Sequence, residues 1–164
     1  MNIFYLSHNP TKCAEMHVDK HVVKMILEYA QLLSTAHRTL DDVDTDSLFY
    51  KATHVNHPSA IWARASFKNY CWLYLLLEKL CKEYTYRYGK IHKVEWSGLL
   101  SELSDPPLNI KDSAFTQPTP AMPEKYKVAG NSIQSYKNYY NGAKRYLFNW
   151  KNRAIPYFVE EDYI

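Results

Sequence analysis

The residues that break helices are unevenly placed along this chain, and that placement limits what it can fold into. Its 164 residues include 4 glycines and 8 prolines, and neither type occurs from Thr11 to His57 or from Ser59 to Tyr88. Glycine and proline are the two residues least compatible with a helix interior. Each uninterrupted run also opens on a helix-start signal. Asn9 precedes Pro10, and Asn56-His57 precedes Pro58, pairing a side chain able to cap with a proline suited to the first helical position. The pattern predicts one helix over about residues 10–38 and a second from Pro58 to about Tyr86, ending before Gly89. Tyr70 to Leu77 is apolar nearly all round, as a helix buried on most of its surface would be.

The remaining segments are shorter. "NIFYLS" at 2–7 reads as a short strand or an extended lead-in, and Asp41 to Asp46 as an acidic loop. A short helix is expected over 93–103, stopped by Asp105-Pro106-Pro107. Residues 106–125 form a proline-rich loop with Pro118, Pro120 and Pro123, longer than a compact domain ordinarily keeps without a use. A last helix is expected over 132–150 with Asn131 as its cap, and the tail "AIPYFVEEDYI" should pack back through its aromatics and then fray. The expected fold class is therefore mainly α: a compact single-domain helical fold over 1–164. It has two long helices, a short N-terminal extended segment and a proline-rich loop.

No run of apolar residues is long enough for a membrane span or a signal peptide. Three cysteines without paired spacing do not make a disulfide framework. A soluble protein of a reducing cytoplasm is the expectation, with Cys71 and Cys81 as small core residues. Charge is segregated along the chain. Residues 1–83 hold nine basic and nine acidic side chains, whereas 84–153 hold eleven basic against five acidic, together with eight of the fifteen tyrosines. Basic groups attract phosphate and aromatic rings stack on bases, so this half suits DNA or a nucleotide as partner. The plainer reading has tyrosine at the core margin and lysine keeping the surface wet.

"EMHVDKHVVKM" (Glu15 to Met25) sets two histidines within the first predicted helix. On one continuous helix Cys13, His17, His21, Lys24 and Glu28 fall within roughly 40° of each other, with Gln31 and Thr35 extending the stripe. Met16, Val22, Val23, Ile26, Leu27, Ala30 and Leu33 take the opposite arc, while Asp19 and His37 fall on the apolar side and would each want a partner. Short-reach groups titrating near neutrality suit a cleft wall better than an open surface. His17 and His21 are the candidate acid–base pair and Glu28 the candidate orienting carboxylate, with Lys20 and Lys24 placed to hold phosphate. An internal polar network that fixes helix packing is the structural alternative. The pair could also share a metal ion, although H-E-x-x-H is absent because Val18 stands at the glutamate position. No cofactor is implied.

Other stretches extend the candidate phosphate surface. His57 and Arg64 lie at the entrance to the second helix, where free amides favour anions, and a plain capping role for His57 is the alternative. Arg87 and Lys90 follow in "YTYRYGKIHK", with Tyr86 and Tyr88 able to stack or to pack. Lys125 and Lys127 flank Tyr126 after the proline loop, and Lys144 and Arg145 end the last helix. No P-loop, dinucleotide fingerprint or zinc-finger spacing occurs.

"NIFYLSHNP", "DKHVVKM" and "NHPSAIWAR" resemble segments of small proteins encoded by bacteriophages. "CAEMHV" and "SYKNYYNGAKRY" are similar to stretches of the phage pyrimidine-dimer DNA glycosylases, compact all-α enzymes that excise damaged bases. That resemblance implies a DNA-side role for His17. Those enzymes attack with the amine of an N-terminal threonine, aided by a glutamate on the first helix. Here Met1-Asn2 opens the sequence, Val23 or Lys24 falls near the glutamate's place, and Glu28 is the displaced counterpart. The expected function is thus a phage protein that binds nucleic acid or a nucleotide, with histidine acid–base chemistry on bases if it is an enzyme. The alternatives are a metal-dependent hydrolase using His17 and His21, and a non-enzymatic protein that binds a host factor.

Overall fold

A computed structural model describes residues 1–160 and residue 162. The helices are α1 (Pro10–Met16), α2 (Asp19–Leu40), α3 (Pro58–Ala65), α4 (Phe67–Tyr88), α5 (Lys93–Trp96), α6 (Leu99–Glu102) and α7 (Ser132–Ala143). Short 3-10 turns cover Glu124–Tyr126 and Arg145–Leu147. Among the described residues there is no sheet, only an isolated bridge between Val128 and Asn131. They form one compact, mainly helical domain. No helix of the described residues is long and apolar enough to cross a membrane. Of the tail, Glu161, Tyr163 and Ile164 lie outside the described residues.

The start signals act as their chemistry requires. Asn9, His57 and Asn131 each accept a backbone amide at the start of α1, α3 and α7, and Gly89 closes α4 at φ 67°. The two long helices pack together around a core of Tyr29, Leu32, Leu33, Leu73, Leu76 and Leu77. The N-terminal segment forms no strand and turns at Tyr5, where Leu6 N bonds the Phe4 carbonyl at 3.0 Å; Ile3 to Leu6 run buried through the core.

Both long runs are broken where no glycine or proline marks the place. The helix expected over 10–38 stops at His17 and restarts at Asp19, with His17 and Val18 in extended conformation at ψ 132° and 155°. Partners distant in sequence satisfy the backbone groups released there. Arg87 donates to the carbonyls of Glu15 and His17, and the Trp150 indole donates to that of Met16. The amide of Val18 reaches Tyr140 Oη at 3.3 Å, and that of Asp19 reaches the Asn149 carbonyl at 2.9 Å. A buried helix end needs such partners, and here tertiary contacts supply them.

The second run breaks at Ser66, which caps α4 through Asn69 N, while Phe67 N turns to the Lys111 carbonyl. The helix expected over 93–103 divides into α5 and α6 around Gly98 at φ 91°. The last helix ends at Ala143 instead of 150, followed by a 3-10 turn. The proline-rich stretch is irregular and firmly attached. Thr116 N and Oγ1 bond Asn69, and Ser132 Oγ donates to the Pro118 carbonyl. The Tyr126 ring lies directly on Gly142, where a Cβ would collide with it.

Candidate functional site

The break after α1 changes the faces assigned to the histidine stretch. With α2 restarting at Asp19, its buried side carries His21, Val22, Met25, Ile26 and Tyr29, whereas Val23 and Leu27 are 45% and 42% exposed. Val23 and Leu27 therefore leave the apolar arc expected of them. Lys20 and Lys24 are the exposed polar groups beside them, while Glu28, one i,i+4 step further on, is largely covered.

His17 is completely buried, with both ring nitrogens engaged. Its Nδ1 lies 2.7 Å from the Cys13 carbonyl, which can only accept, so Nδ1 carries the hydrogen. Nε2 then accepts from Tyr29 Oη at 2.8 Å, and the same oxygen accepts from Phe4 N at 3.1 Å. Cys13 Sγ donates to the Phe4 carbonyl, which closes the group. Burial pulls the His17 pKa down to about 4 and pushes the Cys13 thiol up to about 12. His21 repeats the arrangement. It stacks on Phe4 at 4.0 Å, and its Nδ1 lies 2.8 Å from Tyr140 Oη. Burial, with the charges of His17, Lys144 and Lys24, lowers its pKa to about 3.

Both rings are thus buried, with both nitrogens of His17 and Nδ1 of His21 already engaged inside the protein. The internal polar network is the reading that fits them. Nor can His17 turn a free nitrogen toward an ion shared with His21. Among the described residues, no group of three or more histidines, cysteines or acids is placed to hold a metal. His37, which wanted a partner, has Tyr70 Oη at 2.8 Å from its Nε2.

Arg87, expected to hold phosphate, is 2% exposed and serves a structural role. Its Nε binds Glu83 at 2.7 Å and its Nη1 binds Asp19 at 2.9 Å, while further donors cap the end of α1. Arg153 also donates to Glu83, whose carboxyl is held below the ordinary range by these hydrogen bonds against the cost of burial. Asp19 accepts from Asn149 Nδ2 and Lys151 N as well. His57 is the cap of α3, and Arg64 Nη1 donates to the Val55 carbonyl.

The remaining cations are dispersed. Lys90 is exposed at the end of α4, and Lys127 pairs with Glu124 at 2.7 Å. Lys125 and Lys144 lie over the rings of Tyr126 and Tyr139, each at 5.1 Å, and Arg145 pairs with Asp162 at 3.0 Å. Lys137 lies over Tyr157 and Arg153 over Tyr86. Much of the basic-aromatic C-terminal half thus sets its cations on its own rings.

The structure does bring Lys20 and Lys24 together. They line a groove of about 640 Å³ with Asp19, Val23, Tyr88, Asn149 and Lys151. Lys144 is close enough for its charge to act on His21 beside Lys24. Nothing in the sequence singles out Lys151 and Asn149 as lining residues beyond their membership of the basic C-terminal stretch.

Glu28 lies apart from this groove along α2. Its Oε1 is 3.5 Å from the Met1 amino nitrogen and its Oε2 is 3.8 Å from Lys24 Nζ, yet Oε2 is buried without a hydrogen-bond partner. His57 is near enough to sense both, its pKa lowered by burial and then by the Met1 amino charge, and raised by Glu28. No family model, no curated protein and no solved structure matches the chain.

Proposed function

We propose that this protein binds nucleic acid, or a nucleotide, through phosphate contacts at the groove beside α2. The observation behind this reading is the convergence of Lys20, Lys24 and Lys151 on one concavity from opposite ends of the chain. Among the described residues neither Lys20 nor Lys151 is ion-paired, and the one carboxylate in the groove, Asp19, is neutralised by Arg87. Such a site attracts anions more strongly than scattered lysines do. The resemblance to bacteriophage proteins supports the cytoplasm of an infected host cell as the place of this activity.

The test is fluorescence anisotropy with labelled DNA over a series of salt concentrations. Wild-type affinity should fall steeply with salt. Reversing Lys20, Lys24 or Lys151 to Glu should weaken binding and flatten the salt dependence by about one unit of slope for each phosphate no longer neutralised. Reversals at Lys125 and Lys127 should do much less. No binding at low salt removes this reading and favours a host-protein partner.

A second reading rests on Glu28. A buried carboxylate oxygen without a hydrogen bond is costly, and here the carboxylate faces two amines. On this reading Glu28 and a neighbouring amine would carry out base excision of the kind performed by the glycosylases the sequence resembles. An amine adds to the sugar C1′ and the base leaves with the glycosidic electron pair and a proton. The ring oxygen then takes a proton from the amine as an imine forms, with Glu28 relaying protons. Borohydride would reduce that imine to a stable amine. A trapped complex on damaged DNA that Glu28→Gln abolishes supports this reading. Its absence leaves a binding protein.

A further inference from the structure

We infer that the groove beside α2 takes one unpaired nucleotide, with the phosphate at its lysine rim and the base against Tyr88 and Val23. This rests on the phosphate-binding reading and specifies its ligand. The rim is cationic, yet the walls are largely apolar, formed by Val23, the Tyr88 ring and the stems of Lys20, Lys24 and Lys151. A purely electrostatic site for a duplex backbone needs only the rim. A concavity with an aromatic wall suits a ligand having both an anionic group and a flat apolar body, which an unstacked nucleotide provides.

Tyr88 is placed for this role. It ends α4, where Gly89 turns the chain away, and it packs against Tyr84 with ring centroids 5.4 Å apart. Lys151 Nζ sits 5.2 Å above its ring. Lys151 is exposed and its four-carbon stem is flexible, so a phosphate arriving at the rim can draw its ammonium away and free the ring face for a base. Asn149 Nδ2 is held by Asp19 Oδ2 at 2.6 Å, and Lys151 N by Asp19 Oδ1 at 2.9 Å, which ties the segment carrying Asn149 and Lys151 to the start of α2. Paired bases inside a duplex are stacked on both faces and cannot enter. The preference should therefore be for single strands, strand ends or free nucleotides.

The experiment compares four labelled or competing probes with unmodified protein: a short oligothymidylate, the same length with tetrahydrofuran abasic units, a duplex, and thymidine monophosphate. The expected result is single-strand binding tighter than duplex or abasic strand by roughly fivefold or more, the range of one stacked base. Competition by the mononucleotide would identify a free nucleotide as sufficient. Tyr88→Leu should remove the base-dependent part, bringing single-strand affinity down to that of the abasic strand. It should also abolish the quenching of a 2-aminopurine strand that wild type produces. Equal affinity for all polymers, still abolished by Lys20→Glu and Lys24→Glu, would overturn the nucleotide pocket while phosphate binding stands. Absence of binding to every probe would overturn both.

Discussion

Arg87 Nη1 donates at once to the His17 carbonyl, at 2.8 Å, and to Asp19 Oδ1, at 2.9 Å. One side chain at the end of α4 thus spans the break between α1 and α2. The same guanidinium holds Glu83 on its own helix, and Arg153 meets that carboxylate from the other side. The corner between the first two helices is therefore an ion network as much as a hydrophobic contact.

Arg87→Ala should accordingly destabilise the fold severely. It would leave Asp19 short of its cation and strip donors from the Glu15 and His17 carbonyls. Losing one partner of a buried pair costs about 3–5 kcal/mol. Urea denaturation followed by tryptophan fluorescence would measure this. A destabilisation below about 1 kcal/mol would show that the network contributes little.

Stability should fall as pH drops below about 6.5, where the histidines of the unfolded chain begin to protonate. In the folded chain burial holds His17 and His21 neutral down to about 4 and about 3. Between those limits the unfolded state binds more protons, so acid favours unfolding, and above neutrality the effect vanishes. By the bottom of its window His17 withholds roughly 3 kcal/mol and His21 roughly 5 kcal/mol. Melting temperatures across this range should decline well before carboxylate titration is complete. A flat profile down to about pH 4.5 would contradict the burial of both rings.

Gly142→Ala should loosen the proline-rich segment. The added methyl would occupy the space of the Tyr126 ring, and the segment or the ring must move. Overpacking of this kind costs about 1–3 kcal/mol. Limited proteolysis should then cut within 106–127 faster than in wild type. Phosphate binding at Lys20 and Lys24 should persist. Removing the ring as well, in a Gly142→Ala and Tyr126→Ala double variant, should relieve the clash and recover part of the stability.

Asn69→Ala should have a related effect by a different route. Asn69 is fully buried and bonds the Trp62 carbonyl, Thr116 Oγ1 and Thr116 N. Its removal leaves two backbone groups without partners, at about 1–3 kcal/mol each. Calorimetry should show a lower melting temperature, and amide exchange should quicken at Thr116. Unchanged protection at Thr116 would mean that the segment is held elsewhere.

The helix starts at Asn9-Pro10, His57-Pro58 and Asn131 are legible because capping is local chemistry, written in adjacent residues. The break at His17–Val18 is not, because the groups that make it tolerable come from Arg87, Tyr140, Asn149 and Trp150. Nothing between Pro10 and Leu40 announces it. The break takes His17 off the helical stripe, while packing of Phe4 and Tyr140 on α2 buries His21 and leaves Val23 and Leu27 on the wet side. The exposure of Lys20 and Lys24 is readable from residue type. Arg87 misleads for the opposite reason, since its acceptors Asp19 and Glu83 meet it together only once α2 and α4 have packed.

The break between α1 and α2 also sets a timetable for synthesis. Its amides and carbonyls are completed by Tyr140, Asn149 and Trp150, and Asn2 is bonded by Tyr136. A nascent chain that ends before α7 would hold α2 and α4 with the opening segment uncovered and the corner unsealed. The ribosome must therefore deliver the chain through Trp150 before the native arrangement is reachable. Until then the apolar side chains from Ile3 to Leu6 lack the cover that buries them in the finished fold.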